Sequence, residues 1–358
     1  MPTPFSPRLL PACLLALVPL VPACDGESSA DETPAADAAV GGSPATGGTP
    51  GAGGEAAGGQ AAGGEATGGT PVVPDAGPAP EVDAAVEVAD LGLPPAGGPD
   101  RIRFRAQVGD AAFGCGQSYG GLGPAADKTV ELVDFRFYVH GIELLTADGT
   151  AVPFTIADEG LFQGQGVALL DFETGGAACA EGTDKTHDEV TGSAPPGDYV
   201  GLRFVVGVPF ELNHAAVDTA PAPLNFSAMF WNWQGGYKFV RVDAVGPEPE
   251  GGGARPFFPV HLGSTGCDGT PAGGVTTCAN PNRPTVEFAA FNPATDVVVA
   301  DFAELVEGLD PTTNAAASPP GCMSPPTDGD CVEVLSSFGL PVPGGVPAMD
   351  FFRVEAAE

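Results

Sequence analysis

A change in composition near residue 100 limits which part of this 358-residue chain can fold. Residues 25–100 contain no aromatic residue and no Lys, Arg or His, and are dominated by Gly, Ala, Pro and acidic residues. Such a segment cannot bury enough apolar surface to offset the entropy of ordering it. The sequence therefore predicts a disordered acidic linker over 25–100 and one folded domain over 101–358.

The first 24 residues resemble an export signal. Arg8 is followed by an apolar run from Leu9 to Val21 and then by Pro22-Ala23-Cys24, a lipobox-like ending. The apolar run is short and interrupted by prolines, which disfavours a lasting transmembrane helix. We expect an exported periplasmic or cell-surface lipoprotein held to the membrane only by a lipid on Cys24; simple signal-peptidase cleavage is the alternative.

The charge balance argues against nucleic-acid partners. The formal net charge is −33, so nucleic acid and anionic lipid surfaces would be repelled. Part of this charge lies in the linker, where solvation is a sufficient explanation.

Six cysteines remain after the signal, and their even number in an oxidising compartment predicts three disulfides. Six cysteines allow 15 pairings. Short Gly, Pro and Asp-rich loops favour Cys267 with Cys278 and Cys322 with Cys331, which leaves Cys115 with Cys179. Other pairings stay open, and no spacing resembles a zinc ribbon.

The sequence pattern of residues 101–358 predicts an all-β protein. Short runs rich in β-branched and aromatic residues are separated by Gly, Pro, Asn and Asp. They are 102–108, 129–145, 167–172, 199–206, 228–242, 257–262, 285–291, 297–302 and 349–354. Helical periodicity is weak outside 301–308 and 331–340. We expect an antiparallel β-sandwich with long loops and disulfide staples, with a barrel as the alternative.

Both tryptophans of the chain lie in one predicted strand. Alternation would place Met229, Trp231 and Trp233 on one face, where packing is the simpler explanation for them. Three of the four histidines, His140, His214 and His261, lie in or beside apolar strand-like segments, where an imidazole needs a specific partner.

Imidazoles, a thioether and indoles suit a soft or borderline metal, copper before zinc. The alternative is that the histidines are separate structural residues, because no short histidine motif is present. His187 lies in a polar turn and is expected on the solvated surface.

An ordered set of motifs resembles the MbnP-like copper-binding proteins, the four-Cys members of the metallo-mystery pair. The resemblance spans about 102–340 and rests on these segments: Arg136-Phe137-Tyr138-Val139-His140, Leu170-Asp171-Phe172-Glu173, Gly207-Val208-Pro209, Leu212-Asn213-His214, Met229 to Phe239, and His261 to Cys267. Two additional mature cysteines and the acidic linker depart from the family pattern.

This resemblance implies an exported copper-binding protein that is modified by a partner. The partner would be an MbnH-type di-haem peroxidase-like protein, which converts Trp231 or Trp233 into kynurenine. Ring opening yields an aniline nitrogen and a carbonyl, both potential ligand atoms, whereas an indole N–H only donates. His140, His214 and His261 become the candidate copper ligands.

Two other function classes compete with this interpretation. An enzyme could use Asp171, Glu173 and the histidines, but the sequence offers no nucleophile–base pair, so we expect no catalytic activity. A metal-free structural or adhesive β-sandwich lipoprotein is the second alternative.

Overall fold

The computed structural model describes residues 97–176 and 178–357. The predicted signal with Cys24, and the linker up to residue 96, lie outside these residues. No helix among the described residues is long and apolar enough to cross a membrane.

Strands make up most of the described structure. In chain order they are β1 (Arg101–Val108), β2 (Ala111–Ala112), β3 (Ser118–Leu122), β4 (Lys128–Thr146), β5 (Ala151–Pro153), β6 (Thr155–Ile156), β7 (Gln163–Gly164), β8 (Val167–Asp171), β9 (Glu189–Ser193), β10 (Tyr199–Val206), β11 (Phe230–Asn232), β12 (Gly236–Val245), β13 (Phe257–Gly263), β14 (Thr265–Thr270), β15 (Gly274–Asn280), β16 (Thr285–Phe288), β17 (Asp296–Asp301) and β18 (Phe352–Ala356).

Helices are short. They are α1 (Phe210–Asn213), α2 (Phe302–Leu305), α3 (Cys331–Ser337) and a 3-10 turn over Ser227–Met229. Asp301 begins α2 by accepting a hydrogen bond from the Ala303 N–H, which satisfies one of the free donors at the helix start.

The strands form two large sheets and one hairpin. The smaller sheet has the order β18-β17-β1-β9-β6, with β2 beside β1. The larger has the order β11-β12-β4-β10-β16, with β13 on β12, β3, β5 and β8 on β4, and β7 on β8. The separate hairpin is β14-β15.

Aromatic side chains form the core between the two large sheets. Phe104 of β1 lies 5.8 Å from Phe137 of β4 and 5.7 Å from Phe204 of β10, measured between ring centroids. Phe352 of β18 lies 5.5 Å from both Phe137 and Phe204. The alternation of apolar residues along β1 and β4 therefore creates the inner faces of a sandwich.

The long strand β4 organises the larger sheet. It pairs along its length with β3, β12, β8, β10 and β5. Phe135 and Phe137 face the core, so Arg136, Tyr138 and His140 project from the opposite face. That outer face carries the charged and histidine side chains described below.

The prediction of an all-β sandwich built mainly from antiparallel strands is confirmed. One ladder differs, because β1 and β17 run parallel. The expected single strand over 228–242 is wrong. Gly236 adopts φ +78°, and the chain turns at 233–235 between β11 and β12, so this segment forms a hairpin.

The three expected disulfides are present. Cys115 is bonded to Cys179, Cys267 to Cys278, and Cys322 to Cys331. Three disulfides indicate an oxidising, extracytoplasmic compartment.

Candidate metal centre

The turn between β11 and β12 is held by its own side chains and by α1. The Asn232 Oδ1 accepts hydrogen bonds from the Gln234 N–H at 2.9 Å and the Gly235 N–H at 2.8 Å. Gly236 follows in a left-handed conformation, and a Cβ there would lie 2.3 Å from the Asn213 carbonyl oxygen. The turn is therefore packed directly against the end of α1.

Segments far apart in the sequence meet at this turn. The Asn213 Oδ1 accepts a hydrogen bond from the Tyr237 N–H at 3.1 Å, and the Gln234 Nε2 donates to the Cys267 carbonyl at 2.7 Å. The Trp231 ring covers Gly263, where a Cβ would lie 2.4 Å from the ring. Three of the motif segments thus form one rim.

The two tryptophans lie in different environments. Trp231 lines an open cleft of about 500 Å³ together with Gln234, Cys267 and Met323. Trp233 lies in the turn and is 38% exposed. Met229 is fully buried at the end of the 3-10 turn. The expected common strand face for Met229, Trp231 and Trp233 is wrong, because the strand ends at Asn232.

His214 lies against this turn. Its Nδ1 is 3.3 Å from the Trp233 carbonyl oxygen, and because a carbonyl only accepts, we assign the ring proton to Nδ1. Nε2 then carries the lone pair, 3.2 Å from the Asn213 amide nitrogen and 3.8 Å from the Cys278 Sγ. Burial lowers the pKa of His214, which favours the neutral, ligating imidazole.

His140 is oriented in the same way. Its Nδ1 donates to the Gly207 carbonyl at 2.9 Å, which leaves the lone pair on Nε2. Burial lowers its pKa. Gly207 adopts φ +119°, and a Cβ there would lie 2.8 Å from the Phe239 ring, so this carbonyl position depends on glycine.

Arg283 lies near both His140 and His214. The Arg283 Nε donates to the carbonyl of Val208, the residue after Gly207. Its guanidinium lies 6.0 Å from the centroid of Phe210, whose ring is 5.4 Å from that of His214. Arg283 also lowers the pKa of both histidines, after the larger effect of burial. His140 and His214 therefore share one end of the larger sheet.

His261 lies in β13, and one of its ring nitrogens contacts the Asp243 carboxylate. Its Nε2 is 2.7 Å from the Asp243 Oδ1, while Nδ1 is buried without a hydrogen-bond partner among the described residues. Burial lowers the pKa of His261 and Asp243 opposes this shift. A carboxylate behind one ring nitrogen and a lone pair on the other is the arrangement of metal-ligating histidines.

The strand register separates His261 from His140. His261 pairs with Arg241, and Arg241 pairs with Arg136, four residues before His140 on β4. Two strand spacings and four residues give a Cα separation of roughly 16 Å. Two imidazoles bound to one ion at about 2 Å do not span that distance. The structure brings His214 to the tryptophan turn and His140 near it, and the strand register places the Cα of His261 roughly 16 Å from that of His140.

Two groups of potential donor atoms lie close together in the described part of the chain. One is His214 with Cys267 and Cys278, and the other is Glu173 with Cys115 and Cys179; in each, the donor atoms lie within 4.8 Å of one another. All four cysteines are in disulfides, so neither group offers a thiolate. Sequence reasoning missed the contact of His214 with a disulfide because 64 residues separate His214 from Cys278.

The two carboxylates considered for catalysis, Asp171 and Glu173, are buried among charged neighbours. Asp171 and Glu173 are fully buried, and Glu173 lies 3.3 Å from the buried Arg136. Burial raises the pKa of Asp171 to about 7. Because Arg136 also bonds Asp134, these groups form a buried ion-pair network on the outer face of β4.

His187 is not on the solvated surface as expected. Its backbone pairs with Asp171, its Nδ1 donates to the Leu169 carbonyl at 2.7 Å, and its ring stacks on Phe162 at 5.1 Å. The isolated bridge to the end of β8 brings this polar turn onto the sheet. A short polar motif does not reveal such a bridge.

Comparison with known proteins gives one consistent result. A family model described as MbnP matches residues 98–324. The solved structure of MbnP from Methylosinus trichosporium is similar at 35% sequence identity and a TM-score of 0.62, with 72% of this chain and 98% of that chain covered. No curated protein matches the chain. The chain belongs to the MbnP family.

Proposed function

We propose that this protein binds copper at the rim where the tryptophan turn meets His214. The observation that carries the proposal is the contact between His214 Nδ1 and the Trp233 carbonyl at 3.3 Å. It joins a histidine with an available lone pair to the segment that holds both indoles. Copper favours imidazole ligands and, as Cu(I), softer donors as well.

His140 and His214 are the first candidates for a shared ion. Each has its proton directed at a backbone carbonyl and its lone pair on Nε2, so their tautomers suit ligation without a further proton transfer. Binding at His214 would displace the Asn213 amide from Nε2. His261 stays a predicted ligand, and the strand register favours testing it separately.

We further propose that an MbnH-type di-haem partner converts one tryptophan into a copper ligand. One oxygen atom from each of two hydrogen peroxide molecules would add across the indole C2–C3 bond and break it, with two water molecules as the other products. Hydrolysis would then release the formyl carbon as formate. Trp233 is the better candidate because it is 38% exposed, whereas the Trp231 ring is packed on Gly263. In this scheme the chain is a substrate and a binder of copper, not an enzyme.

Copper stoichiometry of matched histidine variants tests the site. His214→Asn keeps an N–H near the Trp233 carbonyl but removes Nε2, and His140→Asn does the same at Gly207. We expect both variants, produced with the partner, to lose copper. His187→Asn keeps its donor to Leu169 and should bind copper like the parent protein. Full copper content in both His214→Asn and His140→Asn would rule out this site.

His261→Gln keeps an N–H directed at Asp243 and removes the Nδ1 lone pair. Loss of copper in this variant would assign His261 to the ion despite the strand register. Retained copper would restrict the site to His140, His214 and the tryptophan turn.

Peptide mass spectrometry tests the modification. We expect the mass of kynurenine at Trp233 when the partner is present, and its loss in Trp233→Phe but not in Trp231→Phe. Kynurenine at Trp231 would overturn the choice of residue. Two unmodified indoles in protein that stays metal-free would favour a structural or adhesive role instead.

A further inference from the structure

The disulfide Cys267–Cys278 lies beside His214, and its sulfur atoms and the imidazole are close enough to serve as ligands of one metal ion. The Cys278 Sγ lies 3.8 Å from the His214 Nε2, and both sulfur atoms and the imidazole lie within 4.8 Å of one another. His214 directs its lone pair toward this disulfide, since its proton lies on the Trp233 side.

The β14-β15 hairpin would hold the two sulfur atoms together even if their bond were broken. Cys267 pairs directly with Cys278, and the ladder continues on both sides through Thr265 with Asn280 and Asp268 with Thr277. Directly opposite residues in a ladder have Cβ atoms about 4.5–5.5 Å apart. The backbone thus keeps two thiols opposite each other and beside His214.

The hairpin is also accessible and makes a limited covalent contribution to stability. Cys278 is half-buried, Cys267 is buried, and most other hairpin positions are exposed. The disulfide closes a loop of only 11 residues, and such short loops gain the least from cross-linking, about 2–3 kcal/mol. Reduction is therefore compatible with a folded domain.

We propose that reduction of Cys267–Cys278 converts this rim into a Cys2His site for a soft or borderline metal ion such as Cu(I) or Zn(II). A dithiol reductant supplies two electrons and two protons, its own sulfurs form a disulfide, and the S–S bond becomes two thiols. Metal binding then releases the thiol protons to water, because the thiolate is the ligand. This deepens the proposed function, since it uses the same His214.

The other two disulfides lack this arrangement. Cys322–Cys331 belongs to no donor group with a third ligand among residues 97–176 and 178–357. Cys115–Cys179 has Glu173 nearby, but that carboxylate is fully buried and paired with Arg136. The redox-dependent site is therefore specific to the hairpin at the tryptophan turn.

Cadmium titration of the reduced protein tests the inference. The full exported domain is treated with a dithiol, the reductant is removed under nitrogen, and Cd(II) is added while the thiolate-to-metal charge-transfer absorption is recorded. We expect a site that the Cys267→Ser/Cys278→Ser double variant lacks. His214→Asn should weaken Cd(II) binding by at least about tenfold, because losing a ligand costs no less than losing a group that only orients one, and His187→Asn should leave it unchanged.

Several outcomes would overturn the inference. They are an equal charge-transfer signal in the double serine variant, an unchanged affinity in His214→Asn, and loss of the β-sheet circular-dichroism signal on reduction. The copper experiments use the oxidised protein, so the proposed function can fail or hold independently of this result. Oxidised protein should give no cadmium–thiolate band.

Discussion

Asp171→Asn tests whether the buried ion-pair network governs the pH dependence of stability. Asp171 is fully buried beside Arg136 and Glu173, and its Oδ2 has no hydrogen-bond partner among the described residues. Burial raises its pKa from 3.8 to about 7. The folded protein therefore holds this proton over a pH range in which the unfolded chain has lost it.

The sign and size of the effect follow from linkage. Because the folded-state pKa is raised, stability is fully present below pH 3.8 and is lost as pH rises toward about 7. Between pH 5 and pH 8 the wild-type protein should lose about 2–3 kcal/mol through this group. Asparagine carries no charge, so the variant should lack this loss.

Urea unfolding with intact disulfides, at pH 5 and pH 8, measures the difference. From pH 5 to pH 8, the free energy of unfolding of the wild type should fall by about 2–3 kcal/mol relative to that of Asp171→Asn. Asp110→Asn, at an exposed turn position, should follow the wild type. Parallel pH profiles for Asp171→Asn and wild type would refute the assignment of a raised pKa to burial. Copper content should be the same in all three proteins.

Three further substitutions probe packing near the site. Arg136→Met removes the ion-pair partner of the buried Glu173 and one of the two arginines that contact Asp134, and should lower the free energy of unfolding by about 3–5 kcal/mol in urea titrations. Gly207→Ala places a Cβ 2.8 Å from a ring and at φ +119°; we expect a loss of about 1–3 kcal/mol and a lower melting temperature. Gly263→Ala should displace the Trp231 ring, which tryptophan fluorescence would report as an altered emission maximum.

Much of the fold could be predicted because the strands have strong local patterns. The predicted strand 199–206 coincides with β10, and 102–108 differs from β1 by one residue. The tryptophan hairpin was harder to predict, because Gly235-Gly236 lies within a segment, 229–239, that is rich in aromatic residues on both sides. The parallel pairing of β1 with β17 depends on tertiary contacts that no local pattern encodes.

The candidate site could be predicted only as a set of residue types. His140, His214 and His261 all have a ring nitrogen fixed by a hydrogen bond, which fits the expectation that a buried imidazole needs a partner. Their spacing in the sequence says nothing about register, which is what separates His140 from His261. The contact between His214, at the end of α1, and Cys278 likewise arises only when the β14-β15 hairpin packs near α1.

The pairing of β1 with β17 determines when the smaller sheet can form during synthesis. Phe104 pairs with Val298, so the smaller sheet cannot close until nearly all of the domain has been synthesised. Contacts between such distant positions slow folding, because a long loop must close first. The smaller sheet is therefore completed last, after every strand of the larger sheet has been synthesised.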